Sequence, residues 1–136
     1  MIEMKLMNSK EEVMMEMFWE EPKPLTTSEI GSKLKGKGWN KSTLFNTIKS
    51  LLDKNYIRVI GVERSNTQYA RQFEASFSKE EYAAVVLTSK GIKRSSLANI
   101  ALAMSGSLDE DKDADEELIH ELEGIIEKLR ESSNKI

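Results

Sequence analysis

The fold is decided by residues 25–73, which read LTTSEIGSKLKGKGWNKSTLFNTIKSLLDKNYIRVIGVERSNTQYARQF. The pattern Thr26-Thr27-Ser28-Glu29 predicts a capping box, in which the first hydroxyl and the last carboxylate each accept from the other residue's backbone amide. We expect the turn at residues 36–38 to end this helix. A second helix is predicted from the N-cap Asn40 to Asn55, which tolerates the left-handed conformation that closes a helix.

The second helix has two different faces. Its apolar residues follow the helical period and are expected to face the core: Leu44, Ile48, Leu51 and Leu52. The opposite face carries basic, polar and aromatic residues: Lys41, Ser42, Phe45, Asn46 and Lys49. Residues 56–60 and 68–73 have strand-like composition, and residues 61–67 are predicted to form the turn between them. This order indicates a winged helix-turn-helix, a mainly α fold with a small antiparallel β-wing.

Charge is distributed unevenly along the chain. The net charge is −3, but residues 31–72 hold nine Lys or Arg against two acids and so carry +7. Residues 109–136 hold eleven acids against four bases and so carry −7. Positive charge confined to the predicted winged helix is the pattern expected of a surface that binds phosphates, so DNA is the predicted partner.

A recognition helix places residues of its N-terminal half against base edges in the major groove. The predicted base contacts are Ser42, Thr43 and Asn46, with Phe45 against a thymine methyl. The predicted phosphate contacts are Lys41, Lys49, the wing residue Arg64, and the hydroxyl or amide groups of Thr26 and Thr27. An inward-facing, packing role for Thr43 is an equal alternative, and Lys41 and Lys49 could also belong to a merely solvated face.

Several of these residues carry a resemblance. The run Gly38-Trp39-Asn40-Lys41-Ser42-Thr43, the later Tyr56-Ile57, and Ser78-Lys79-Glu80-Glu81-Tyr82 resemble the penicillinase repressor (BlaI/MecI/CopY) family of winged-helix transcriptional regulators. The resemblance implies a homodimeric repressor that binds an operator with dyad symmetry, a palindromic operator. The chain departs from the family pattern in two places. It has Phe45 where an arginine is common in the family, and its wing is lengthened by residues 65–68.

The remainder of the chain is predicted to be helical. A first helix is predicted to start at Asn8 or Ser9, where Ser9-Lys10-Glu11-Glu12 forms a capping box, to end before Pro22, and to pack Val13, Met14, Met17 and Phe18 into the core. Residues 1–77 would form the DNA-binding domain and residues 78–136 a helical dimerisation region, with a connection at residues 109–115. An apolar stripe there needs a partner subunit to cover it. The predicted dimerisation residues are Leu97, Leu118, Leu122, Ile125, Ile126 and Leu129.

Other classes of function find little support. The chain has no cysteine and one histidine, His120, so a metal site is not expected, and no cofactor motif or catalytic set of nucleophile and base occurs. An enzyme is therefore not expected. The absence of a long apolar run or signal peptide predicts a cytoplasmic protein without membrane contact. A winged helix that serves only as a protein-interaction or assembly module is the alternative to DNA binding.

The resemblance also implies a route of release. In the resembled family a membrane-bound sensor protease can cleave the repressor between an Asn and an apolar residue in the dimerisation region. Asn99 and Ile100 are of that type and lie at a similar position. A sensor protease is therefore a further expected partner.

Overall fold

The structure is a computed structural model that describes residues 5–65, 68–106 and 112–134. The chain forms two compact units, Met1–Gly91 and Ile92–Ile136. The elements of the first unit are α1 (Ser9–Glu20), β1 (Leu25–Thr26), α2 (Thr27–Lys33), α3 (Lys41–Asp53), β2 (Ile57–Ser65), β3 (Gln68–Ala75) and α4 (Lys79–Ser89). The second unit contains a 3-10 turn (Arg94–Ser96), α5 (Leu97–Gly106) and α6 (Lys112–Asn134). The predicted fold class is confirmed.

Local sequence sets most helix starts. The capping box at Thr26 is present and the Asn40 side chain caps α3, as predicted, and a further capping box at Ser78 starts α4. Asn55 closes α3 with a φ of 65°. The first capping box is wrong by one residue, because Asn8 caps α1 and exchanges hydrogen bonds with Glu11. Asn8 and Ser9 are comparable N-caps and each has a carboxylate three residues on, but Glu11 is the one that is buried against Ser50 and Lys54.

The wing is longer than the sequence pattern indicated. The sheet is antiparallel with the order β1-β3-β2, so β2 lies at an edge. The prediction of a turn from residue 61 is wrong, because the pairing continues to Ser65, opposite Gln68, after an irregularity between Val59 and Gly61. A single extra residue at this point lets pairing resume where strict alternation stops. Residues 66 and 67 lie outside the described residues.

The core of the first unit lies between α1, α2, α3 and the sheet. It contains the predicted Met14, Met17 and Phe18, together with Met15, which was not predicted. Val13 does not face the core as expected, since its side chain is 44% exposed. Trp19 and Trp39 pack against the core, and the Trp19 Nε1 donates to the Phe77 carbonyl at 2.9 Å.

One carboxylate is buried in this core. Glu11 is 1% exposed, and its Oε1 lies 2.6 Å from Lys54 Nζ while its Oε2 accepts from Ser50 Oγ at 2.7 Å. Burial opposes ionisation of Glu11, but the hydrogen bonds from the Asn8 amide, Lys54 and Ser50 outweigh it and lower the pKa. The start of α1 is thereby tied to the end of α3.

The second unit presents apolar side chains to solvent. Leu97 in α5 and Ile125 and Leu129 in α6 are about half exposed. α6 is helical from Lys112, so the predicted connection is wrong for residues 112–115, and residues 109–111 lie outside the described residues. Among the described residues, no helix is both long and apolar enough to cross a membrane. The functional boundary at residues 77 and 78 stays a prediction, while the first compact unit continues through α4.

Candidate nucleic-acid interface

One side of α3 is open to solvent along three turns. Ile48 and Leu51 are buried and Leu44 and Leu52 pack against the core, as the period predicted. The opposite side carries the five residues named from the sequence, here called the α3 face: Lys41, Ser42, Phe45, Asn46 and Lys49. All five are exposed, and Phe45 keeps 47% of its surface accessible. An exposed aromatic ring alone is ordinary on a protein surface, but this one lies among basic, hydroxyl and amide side chains, the groups that contact phosphates and bases.

The first turn of α3 is held firmly. Asn40 Oδ1 accepts from the Thr43 amide at 2.7 Å, and Thr47 Oγ1 donates to the Thr43 carbonyl at 2.7 Å. Thr43 is half-buried, so its side chain is neither fully exposed, as a base contact would be, nor fully packed into the core. Ser42 and Asn46, which are exposed on either side of it, have the freer side chains of the predicted base-contact group.

Thr26 has the structural role that the capping-box pattern predicted. It is 5% exposed, and its hydroxyl donates to Glu29 Oε1 at 3.0 Å and accepts from the Glu29 amide at 3.3 Å. The hydrogen bonds from the Thr26 amide and hydroxyl lower the pKa of Glu29 and keep the cap ionised. The Thr26 hydroxyl is therefore already satisfied, whereas the neighbouring Thr27 is partly exposed.

Two shallow surface grooves join the α3 face to other elements. One contains Thr27, Ser28, Lys35, Lys41 and Phe45, and runs between α2 and α3. The other contains Thr27, Ser28, Phe45, Lys49 and Arg71, and runs from α3 to the wing strand β3. The structure thus brings together four predicted contact residues. Ser28, Lys35 and Arg71 also line these grooves and were not predicted as contacts. Lys35 and Arg71 had been counted in the +7 segment, whereas nothing in the sequence marked Ser28 as a contact.

Eight of the nine basic residues of the +7 segment have side chains that the structure describes, all but Arg64, and these eight fall into two groups. Three of them neutralise acids of the first unit: Lys33 with Glu21 at 2.5 Å, Lys54 with Glu11 at 2.6 Å, and Arg58 with Glu74 at 2.6 Å. Five others are exposed and have no ion pair with any acidic side chain that the structure describes: Lys35, Lys37, Lys41, Lys49 and Arg71. These five free cations lie on α3, in the turn before it and on β3.

The other predicted site residues lie elsewhere or are not described. The backbone of Arg64 is in β2, but its side chain lies outside the described part of the structure. In the second unit Leu118 and Leu122 are half-buried, whereas Leu97, Ile125, Ile126 and Leu129 are exposed. Asn99 is exposed and Ile100 half-buried, both within α5. Among the described residues no cluster of acidic or histidine side chains could hold a metal ion.

Solved structures include several remote likenesses. Staphylococcus aureus MarR in complex with salicylate and kanamycin is 19% identical, with a TM-score of 0.41, 92% of this chain covered and 75% of that chain. Lactococcus lactis ZitR, in a mutant form, is 16% identical, with a TM-score of 0.38, 90% of this chain covered and 76% of that one. GAS PerR-Zn-Zn is 10% identical, with a TM-score of 0.40 and 51% of this chain covered, and the chain spans 43% of its length.

In sequence, the chain matches a protein family and none of the individual curated proteins. The family described as Penicillinase repressor matches residues 7–128, which is nearly the whole chain and extends into both units. Its members are transcriptional regulators and not enzymes. The chain therefore belongs to the penicillinase repressor family and is a DNA-binding transcriptional regulator.

Proposed function

We propose that the protein is a repressor that binds a palindromic operator in double-stranded DNA as a homodimer. The observation that carries the proposal is the exposed α3 face together with the five free cations, of which Lys41 and Lys49 belong to that face. Lysines needed for stability would be paired, as Lys33 and Lys54 are, whereas this face leaves its basic, hydroxyl and amide side chains available to phosphates and base edges.

The α3 face supplies the base contacts in this proposal. Asn46 can donate to N7 and accept from the N6 amino group of an adenine through its side-chain amide, and Ser42 can bind several base edges. Phe45 offers an apolar surface to a thymine methyl. The family position that is commonly arginine is Phe45 here, so we expect the operator to have an A·T pair where an arginine would favour guanine.

The free cations supply the phosphate contacts. Lys41 and Lys49 belong to the α3 face itself, Lys35 lies on its α2 side and Arg71 on its wing side. This arrangement places positive charge on both sides of an inserted helix, where the two phosphate backbones of a major groove run. Thr27 would add a hydroxyl or amide contact.

The second unit would hold the dimer. Leu118, Leu122, Ile125 and Leu129 are spaced by four, three and four residues, and α6 is 23 residues long. This is the spacing of a seam between two helices, and a partner copy would cover the side chains that one chain leaves exposed. Two identical heads then bind two half-sites related by dyad symmetry.

Repression and release are also part of the proposal. A dimer seated on an operator excludes other proteins from that DNA, and cleavage between Asn99 and Ile100 by a sensor protease would separate the heads. Because both residues lie in α5, a protease would need local unfolding of that helix. The proposed location of the protein is the cytoplasm, since that is where the operator DNA would lie.

A second candidate function is favoured by one observation. Val59, Ile60 and Val62 are 42–56% exposed on the edge strand β2, which another protein could cover. A regulator can use such a strand in addition to its DNA face. As the sole function, this alternative leaves the five free cations without a role.

The experiment is selection from a random pool of duplex DNA with the purified full-length protein. We expect enrichment of one inverted repeat. Mixing two forms of the protein that differ in chain length should give a complex that contains one of each, which shows that two copies bind each duplex. A pool that remains random at low salt, while the protein is folded, would overturn the proposal and favour the interaction module.

A further inference from the structure

The groove between α3 and the wing strand β3 combines an apolar floor with positive charge. Its volume is about 560 Å³, within the range of pockets that hold small organic ligands. The buried side chains of Ile48 and Phe73 form the floor together with the half-buried Leu52. The exposed ring of Phe45 adds to one wall. A groove with this lining can remove the apolar body of a ligand from water.

The sheet continues the apolar surface beyond the groove. In the antiparallel pairing Val59 lies opposite Phe73, and Val62 lies opposite Arg71. Directly paired side chains share one face of a sheet, so the two valines lie on the face that lines the groove. They are 43% and 56% exposed. Because DNA backbones are contacted mainly by polar and basic groups, DNA binding alone does not account for this apolar surface.

The charge of the groove is positive on both walls. Lys49 on α3 and Arg71 on β3 line it, and neither forms an ion pair with an acidic side chain that the structure describes. None of the described residues that line the groove is acidic, and Thr27 and Ser28 add hydroxyl groups. Ammonium and guanidinium groups bind an acidic group through charge-assisted hydrogen bonds. Charge complementarity therefore selects an anion as the ligand.

We propose that this groove binds a small organic anion with an apolar body, and that the bound anion releases the protein from DNA. The release rests on the proposed DNA binding, because Phe45, Lys49 and Arg71 would serve both ligands. An anion in the groove neutralises the two cations and covers the aromatic ring, so one head would not hold the anion and the operator together. The protein would then respond to a small molecule without being cleaved.

The test uses anilinonaphthalene sulfonate, an apolar anion, and phenylnaphthylamine, which has the same ring system without the acidic group. Each compound is titrated into the full-length protein without DNA, and the chemical shifts of the backbone amides report where and how tightly it binds. We expect the sulfonate to shift amides of residues 45–52 and 70–73, and the neutral compound to bind about tenfold more weakly. A neutral compound that binds equally well would overturn the selection for an anion.

Substitution of the two cations tests their role in binding the anion. The double variant Lys49→Gln with Arg71→Gln should bind the sulfonate about tenfold or more weakly, because charge-assisted hydrogen bonds are lost. Lys90→Gln, which alters an exposed cation outside the groove, should bind it as the wild type does. Shifts concentrated elsewhere, or equal affinities of the double variant and the control, would overturn the anion site.

Competition with the selected operator tests the release from DNA. The sulfonate at about ten times its dissociation constant should weaken operator binding about tenfold, in the wild type and in Lys90→Gln alike. Operator binding that the sulfonate leaves unchanged would overturn the release. A wild type that binds the sulfonate in the groove and binds no operator would instead overturn the proposed DNA binding and support the anion site.

Discussion

Asn46 is the residue whose substitution should separate sequence recognition from general affinity. It is exposed in the middle of the α3 face, where an amide can make two hydrogen bonds to adenine. Asn46→Ala should therefore lose discrimination at one base pair, by about 1–3 kcal/mol, measured on operators changed one position at a time. Lys49→Ala should weaken binding to all these sequences about equally. An unaltered base preference in Asn46→Ala would show that Asn46 does not read a base.

Individual site residues were predicted unevenly from the sequence. Exposure of the α3 face follows from helical period alone, so its residues were found without knowledge of the fold. Thr26 was given two roles from the sequence: the structure has its hydroxyl in the helix cap with Glu29, and the DNA contact stays a prediction. Arg71 was counted as charge but not assigned, because only the folded sheet brings β3 beside Lys49.

Glu11 in α1 forms a buried ion pair with Lys54 at the end of α3, so a substitution of Glu11 should affect the packing of both helices. Removing the carboxylate leaves Lys54 and Ser50 without a partner at the end of α3. Glu11→Ala should lower the free energy of unfolding by about 2–3 kcal/mol, less than for a fully buried pair because water can reach Lys54. Glu12→Ala, an exposed acid in the same turn, is the control and should change it by less than about 0.5 kcal/mol. Equal effects in urea titrations would contradict the role of the buried pair.

The same carboxylate gives stability a defined pH dependence. The pKa of Glu11 is lower in the folded protein than its ordinary value of 4.5, so its contribution is complete above that value and is lost as pH falls through the folded pKa. The difference in unfolding free energy between wild type and Glu11→Gln should therefore shrink as the pH is lowered below about 4.5. A difference that stays constant down to about pH 3 would contradict this account.

Elements were predicted well wherever a local signal marks them. Thr26, Asn40 and Ser78 start helices through side chains that bond within three residues. The burial of Glu11 could not be predicted, because its partners Ser50 and Lys54 are 39 and 43 residues away. The length of β2 was underestimated for a related reason, since pairing with β3 and not local composition carries the strand past Gly61.

At the scale of the whole molecule, α6 should decide the oligomeric state. Leu122→Asp with Ile125→Asp puts two charges into the proposed seam, where burial without a partner costs several kcal/mol, on the order of 2–7 per group. The variant should be monomeric in sedimentation and bind the full operator about as weakly as a half-site. Glu127→Gln, a polar change on the same helix, is the control and should remain dimeric. A dimeric double variant would move the interface to another surface, of which α5 with its exposed Leu97 is the next candidate.

The most direct test of the central claim is the salt dependence of binding to the selected operator. Cations that displace condensed counterions should make affinity fall by about a hundredfold or more between ~50 and ~200 mM salt. Lys49→Gln, which removes a free cation, should reduce the slope of log affinity against log salt by about one per subunit. Lys33→Gln, which removes a cation already paired with Glu21, should leave it unchanged. Salt-independent binding, or equal slopes in both variants, would contradict a DNA interface built from the α3 face and its free cations.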